Sequence, residues 1–266
     1  MRLPLLLLAL CSLHLSLAQI DMNKLLQQRS QQQQGQGAPP ADGATVSVEE
    51  DNDPYVPNTF IGSFRMEMHT YKNDKEEKDS PMNVRFASKA DMTVVQPEVK
   101  DKGTQDMRML TDLKNKWQYT LMTDDKGRRT AMKQRKTKVS VKENKTDKSP
   151  EPTVVRTEET KVIEGHPCRK YIVTTDDGTW TGWIAEDLKG PFMDMARNMV
   201  KSDALTTARM PKDMEGFPLE YEWVEKGGKE KMVCYIRELK VGAVDEHLFS
   251  LDGYEVMELP SFAMPR

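Results

Sequence analysis

The sequence predicts a mainly β protein of the α+β kind, a curved antiparallel sheet with one short covering helix. Three observations predict it. After Thr59, apolar and polar residues alternate at a period of two through most of the chain, as in strands that cover a core on one side. Short turns rich in Asp and Gly separate these runs, which suits antiparallel neighbours joined by hairpins. Only one stretch carries the i, i+3, i+4, i+7 spacing of an amphipathic helix.

The elements follow in chain order. Arg2, the apolar run 3–10 and the small residues Ser16 and Ala18 read as a removable export signal over residues 1–18, with cleavage before Gln19. The apolar run is too short for the ~20 residues that span a bilayer. Residues 19–57 are Gln-rich and end in the acidic Glu49-Glu50-Asp51-Asn52-Asp53. Such a segment buries too little apolar area to offset its chain entropy, and a disordered arm is expected. A single β domain is expected over residues 58–260, with a short tail at 261–266.

Within that domain, Phe60, Gly62, Phe64, Met66 and Met68 face one way, while Ser63, Arg65, Glu67 and His69 face the other. Further strands are expected at 82–86, 92–95, 107–113, 117–122, 129–134, 154–163, 168–175 and 179–184, with turns at Asp124-Asp125-Lys126-Gly127 and Asp176-Asp177-Gly178. Pro191 suits a first helical turn, and Phe192, Met195, Ala196 and Met199 form one apolar stripe. This helix, running toward residues 203–208, is expected to lie across the sheet. Phe217, Leu219, Tyr221 and Trp223 alternate with Glu220 and Glu222 before Lys226-Gly227-Gly228-Lys229 turns the chain into Met232, Cys234 and Ile236. So many strands in succession make a sheet long enough to curl.

Composition narrows the function classes. Charged residues make up 30% of the chain and the formal net charge is -3, with a mean hydropathy of -0.69. This suits a soluble protein and supplies no basic stripe for nucleic acid, which is not expected as a partner. No His-Glu-x-x-His, Gly-x-Ser-x-Gly or Cys-x-x-Cys occurs, so a non-enzymatic role without cofactor is expected. With Cys11 in the signal, Cys168 and Cys234 remain: they form one bridge, or they sit as small buried hydrophobes.

Three stretches carry a resemblance. Gly165-His166-Pro167-Cys168-Arg169-Lys170-Tyr171, leading through Trp180 and Trp183 to Ala185-Glu186-Asp187-Leu188, resembles the central block of an uncharacterised family of exported bacterial proteins. Residues 244–254 resemble that family's closing strand. Residues 110–122, with Trp117 and Tyr119, are similar to the LolA-like lipoprotein carriers. The resemblance spans residues 60–259. It implies an incomplete antiparallel barrel whose concave side is covered by helices and binds lipid acyl chains, in the periplasm or outside the cell. For the carriers' lid-fastening arginine, Arg65 and Arg85 both stand as candidates.

The candidate cavity for an apolar ligand, or for a lipidated partner, is lined by Phe64, Met66, Met68, Met109, Met195, Phe217, Tyr221 and Trp223. The same residues could equally fill a solid core, leaving an interaction or structural protein. The 18 methionines include the pairs Met66-x-Met68, Met107-x-Met109 and Met193-x-Met195. Thioethers can hold Cu(I), but same-face methionines more simply make an adaptable apolar lining, and no metal is assigned. The basic residues between Lys126 and Lys148 offer either a peripheral contact with anionic membrane or a solvated hairpin.

Overall fold

The computed structural model describes residues 45–98, 107–142, 152–188, 191–199 and 216–259. Its strands are β1 (Thr45–Glu50), β2 (Gly62–Lys72), β3 (Lys75–Glu76), β4 (Met82–Ser88), β5 (Met92–Glu98), β6 (Met107–Asp112), β7 (Trp117–Thr123) and β8 (Arg129–Arg135). They continue with β9 (Thr137–Lys142), β10 (Thr153–Ile163), β11 (His166–Thr174), β12 (Gly178–Ala185), β13 (Phe217–Glu225), β14 (Glu230–Val241) and β15 (Glu255–Glu258). One helix, α1 (Pro191–Met199), precedes β13, and a 3-10 turn (Glu246–Phe249) precedes β15.

Thirteen strands form one open sheet in the order β10-β11-β12-β13-β14-β2-β4-β5-β6-β7-β8-β15, with β3 added beside β2. All neighbours are antiparallel except β15, which runs parallel to β8. Two meanders, β10 with β11 to β14 and β4 to β8, are joined where β14 pairs with β2. The β13–β14 hairpin turns through Gly227 and Gly228, whose φ values of 108° and 71° suit glycine.

The period of two places the core. Phe64, Met66 and Met68 of β2 stand opposite Phe86, Val84 and Met82 of β4. On the other side, Met66 and Met68 stand opposite Ile236 and Cys234 of β14. The reverse face brings Arg65 opposite Arg85, a repulsive pairing. Glu238 accepts from Arg65 at 3.0 Å and Glu98 from Arg85 at 3.3 Å, which offsets it.

The β4–β8 half carries apolar residues on both faces. Ala87, Val94, Leu110, Leu121 and Ala131 are buried on the reverse face beneath Phe249, with Val244, Leu248, Leu251 and Tyr254 beside it. Arg108 fastens this C-terminal cover by donating to the carbonyls of His247 (3.1 Å) and Ser250 (2.9 Å). Residues 244–254 are therefore a strap with the 3-10 turn near its start, and the closing strand is β15, further on.

One other expectation is corrected and one open alternative is decided. The arm is ordered from Thr45, because β1 pairs with β9 over its whole length and the chain beyond it is bonded into the domain. Cys168 and Cys234 form no disulfide: both are free and buried. Cys168 lies on β11 and Cys234 on β14, with β12 and β13 between them. Three inter-strand steps of about 4.8 Å come to about 14 Å, against the Cα separation below about 7 Å that a bridge needs. The signal, the Gln-rich stretch to residue 44, the helix extension to 208 and the tail 261–266 lie outside the described residues.

Candidate apolar ligand face

Six of the predicted lining residues lie on one face of the sheet in two adjoining clusters, and Met195 of α1 packs against the first. In the first, Phe64 stacks on Phe86 with ring centroids 4.9 Å apart and tilts against Phe217 at 5.1 Å. Phe60, Ile163, Cys168, Ala185, Leu188, Leu219 and Ile236 also belong to it, and half-buried Met66 and Met195 pack against it. The second holds buried Met68, Tyr221, Met232 and Cys234, with half-buried Met66, Met82, Trp180 and Trp223 packed against them. Trp180 stacks on Tyr221 at 5.9 Å.

Seven of the eight predicted residues are thus brought together, with Met66 shared. Met109 is not among them. It is buried on β6 opposite Val95, which is itself opposite Phe86, so it shares the face about 14 Å from Phe64. The same separation divides Met66 and Met68 from Met107 and Met109, which cannot converge on one copper ion. Arg65 and Arg85 point to the reverse face, so neither fastens a cover on this side.

The cover is α1, held by polar contacts. Asp194 is 3% exposed. One of its oxygens accepts from the backbone N–H groups of Thr59 (2.6 Å) and Phe60 (2.8 Å) and from the Thr59 hydroxyl (3.0 Å). Arg197 donates to its other oxygen at 2.6 Å and to the Pro57 carbonyl at 3.1 Å. Asn198 donates to Asn58 at 2.8 Å, and Asn58 in turn donates to the Ser88 hydroxyl and the Lys89 carbonyl, both at 2.9 Å. The segment entering β2 therefore ties the helix to the sheet.

Beside this lies a charged cluster of low exposure. The Asp51 side chain is 1% exposed and has Lys136 at 2.6 Å, Lys116 at 3.1 Å and Lys138 at 3.6 Å. Lys138 also meets Asp53 at 2.8 Å, and Lys136 donates to the Asn198 carbonyl at 2.6 Å. Burial alone would raise the Asp51 carboxyl, but Lys136 and the neighbouring ammonium groups hold it down at about 2. Burial pushes Lys136 down to about 8 against the pull of Asp51, and its two lysine neighbours add to the effect. Much of the basic run is accordingly engaged: Lys136 and Lys138 point inward, and Lys133 meets Glu258 at 2.9 Å and lies over the Trp117 ring.

A second titratable group bridges β2 and β3. His69 places one ring nitrogen 2.6 Å from Glu76 and the other 3.0 Å from Glu67. Burial opposes its charge, but the two carboxylates outweigh it and raise its pKa, while the hydrogen bond to His69 lowers that of Glu67. Cys168 has its thiol pushed up to about 11 by burial, which makes it unreactive.

Sequence reasoning missed Asp51, Asn58, Lys136, Asp194 and Asn198. Val46 and Val48 alternating with Ser47 offered a weak strand signal before Asp51. The others carried none, since their partners lie 30 to 140 residues away.

An open, mostly antiparallel sheet with one aromatic- and methionine-rich face and a short helix pinned beside it defines the class. Within that class the chain belongs to the family described as Domain of unknown function (DUF4412), whose model matches residues 60–253. No curated protein matches it. Among solved structures, PNGF-II is similar at 16% identity over 74% of this chain and 31% of that one, with a TM-score of 0.33. The chain thus spans about a third of PNGF-II. A DUF1329 family protein from Desulfovibrio piger shares 9% identity over 74% of this chain and 92% of that one, TM-score 0.22. A "putative outer membrane lipoprotein-sorting protein domain" from Vibrio parahaemolyticus shares 8% over 71% and 88%, TM-score 0.20. Likenesses of this size are too distant to carry a ligand or an activity across. Among the described residues, no helix is long and apolar enough to cross a membrane.

Proposed function

We propose that the protein is an exported, non-enzymatic binder of apolar groups, holding a lipid chain or the acyl chain of a lipidated partner against the face that bears Met66, Met82, Trp180 and Trp223. The observation that carries this reading is the partial exposure of those four side chains over a buried apolar floor of Met68, Tyr221 and Met232. Flexible methionines beside flat indoles make a surface that adapts to chains of varying shape. The signal-like residues 1–18 support export.

A second reading, a solid core with no small ligand, is favoured by the stacking of Phe64 on Phe86 and against Phe217. Those rings fill the space beside Phe64, so in the ligand-binding reading the ligand lies on the neighbouring methionine and tryptophan cluster. Protein isolated from a bacterial envelope distinguishes the two. Organic extracts analysed by mass spectrometry are expected to contain lipid in near-stoichiometric amount, and clean extracts at high loading would leave the solid-core reading standing.

A further inference from the structure

We propose that the connection between β2 and β4, residues 73–81, is a pH-sensitive latch that the His69 imidazolium holds closed against the sheet. Residues 72–79 are all exposed, so no buried apolar side chain anchors them, and β3 contributes only two pairs, Tyr71 with Glu76 and Lys72 with Lys75. Asn73 and Glu77 donate from the backbone to the carbonyls of Lys229 (2.7 Å) and Thr70 (2.9 Å). A segment with so little burial opens locally without unfolding the sheet, and its side-chain ties set how often.

Those ties meet at one ring. His69 Nδ1 lies 2.6 Å from Glu76 Oε1, and Nε2 lies 3.0 Å from Glu67 Oε1. A charged imidazole has two N–H donors and satisfies both carboxylates, whereas a neutral one donates to one of them and turns a lone pair to the other. The Ser80 hydroxyl donates to the same Glu76 oxygen at 2.7 Å and accepts from the Thr70 N–H at 3.2 Å, which carries the tie to the far end of the connection. Around the ring, Arg65 of β2 donates to Glu67 at 3.3 Å and to Asn83 of β4 at 3.2 Å. From β14, Val233 stands opposite His69, and Tyr235, with Arg237 over it, meets the ring edge-on at 5.8 Å. Tyr71 stacks on the ring at 6.4 Å with Lys231 over it, and Lys72 meets Glu230 at 3.6 Å. The hydrogen bond to His69, with Arg65 and Arg237 nearby, keeps Glu67 charged. Burial works against the charge on His69, but Glu67 and Glu76 outweigh it and hold the proton beyond the ordinary range. The latch is therefore closed below pH 6.5 and is lost as pH rises through the folded value.

The test is hydrogen exchange of the full-length protein between about pH 6 and pH 9, with labelling times scaled to the intrinsic rate at each pH, alongside NMR titration of His69. Protection across residues 73–80 is expected to fall by about tenfold for each unit by which His69 titrates above 6.5. Low concentrations of urea are expected to leave exchange there unchanged while speeding it in β13, because local opening exposes little surface. Glu76→Gln, at a side chain that is 40% exposed, is expected to fold, to lower the pKa of His69 and to shrink the pH-dependent fall. A His69 that titrates at or below 6.5, protection that stays flat while His69 titrates, a pH dependence undiminished in Glu76→Gln, or urea acting on residues 73–80 as strongly as on β13 would overturn the proposal.

Discussion

Replacing Asp51 with Asn removes one charge from the cluster that ties β1 to the sheet while keeping the side chain's shape. Asn imitates the neutral carboxyl, so the cost at pH 7 follows from how far the fold favours the charged form. A carboxyl held at about 2 instead of 3.8 corresponds to roughly 2–3 kcal/mol. Breaking a buried ion pair generally costs about 3–5 kcal/mol. The lower figure is expected here because Lys136, already held down at about 8, can release its proton once its partner is gone. The pH dependence has a definite sign. A depressed carboxyl contributes its full stability above pH 3.8 and loses it as pH falls toward 2. The gap between wild type and Asp51→Asn is therefore expected to shrink by roughly half between pH 7 and pH 3. Urea melts followed by tryptophan fluorescence measure this as a change in midpoint at constant slope. In the double variant with Lys136→Met, the loss is expected to be smaller than the sum of the two singles, since no buried charge is left unpaired. A gap that stays constant down to pH 3, or singles that simply add, would refute the reasoning.

Three further outcomes are expected. Phe64→Ala empties a site that is 3% exposed and wedged between Phe86 and Phe217, and it should cost about 3–5 kcal/mol in the same melts. Cys168 and Cys234 should resist alkylation in native protein and react fully in denaturant without any reductant; a requirement for reductant would contradict the free thiols. His69 should titrate above 6.5 by NMR. Its raised pKa means that its contribution is complete below pH 6.5 and lost as pH rises through the folded value, so His69→Gln should flatten the stability profile over that range.

Much of the sheet was legible because its strands alternate cleanly. Phe217, Leu219, Tyr221 and Trp223 set the inward face of β13, and Lys226-Gly227-Gly228-Lys229 set the hairpin, all within a residue or two of the observed bounds. The shared face of Phe64, Met66 and Met68 followed from the same period. What could not be read was which rings meet. Whether Phe64 borders a hollow depends on Phe86 and Phe217, which occupy the space beside it, and such volume matching is not encoded locally. The ordering of residues 45–60 was hidden for a related reason. Asp51 reads as one more acid in a polar arm until Lys116, Lys136 and Lys138 arrive from the far end of the sheet. Those lysines in turn read as solvated until their partner is known. Asp194 looks like an ordinary acidic residue in a first helical turn, yet it accepts from the backbone 134 and 135 residues earlier.

Met82 and Asn83 are neighbours on β4 that face opposite sides of the sheet, Met82 toward Met68 and Asn83 toward Glu67. A photoreactive diazirine side chain placed at each position in turn, in protein illuminated within its own envelope, tests the ligand face directly. Crosslinks to lipid or to an acylated partner are predicted from position 82 and not from position 83. Equal labelling from both positions, or none from either, would contradict the account.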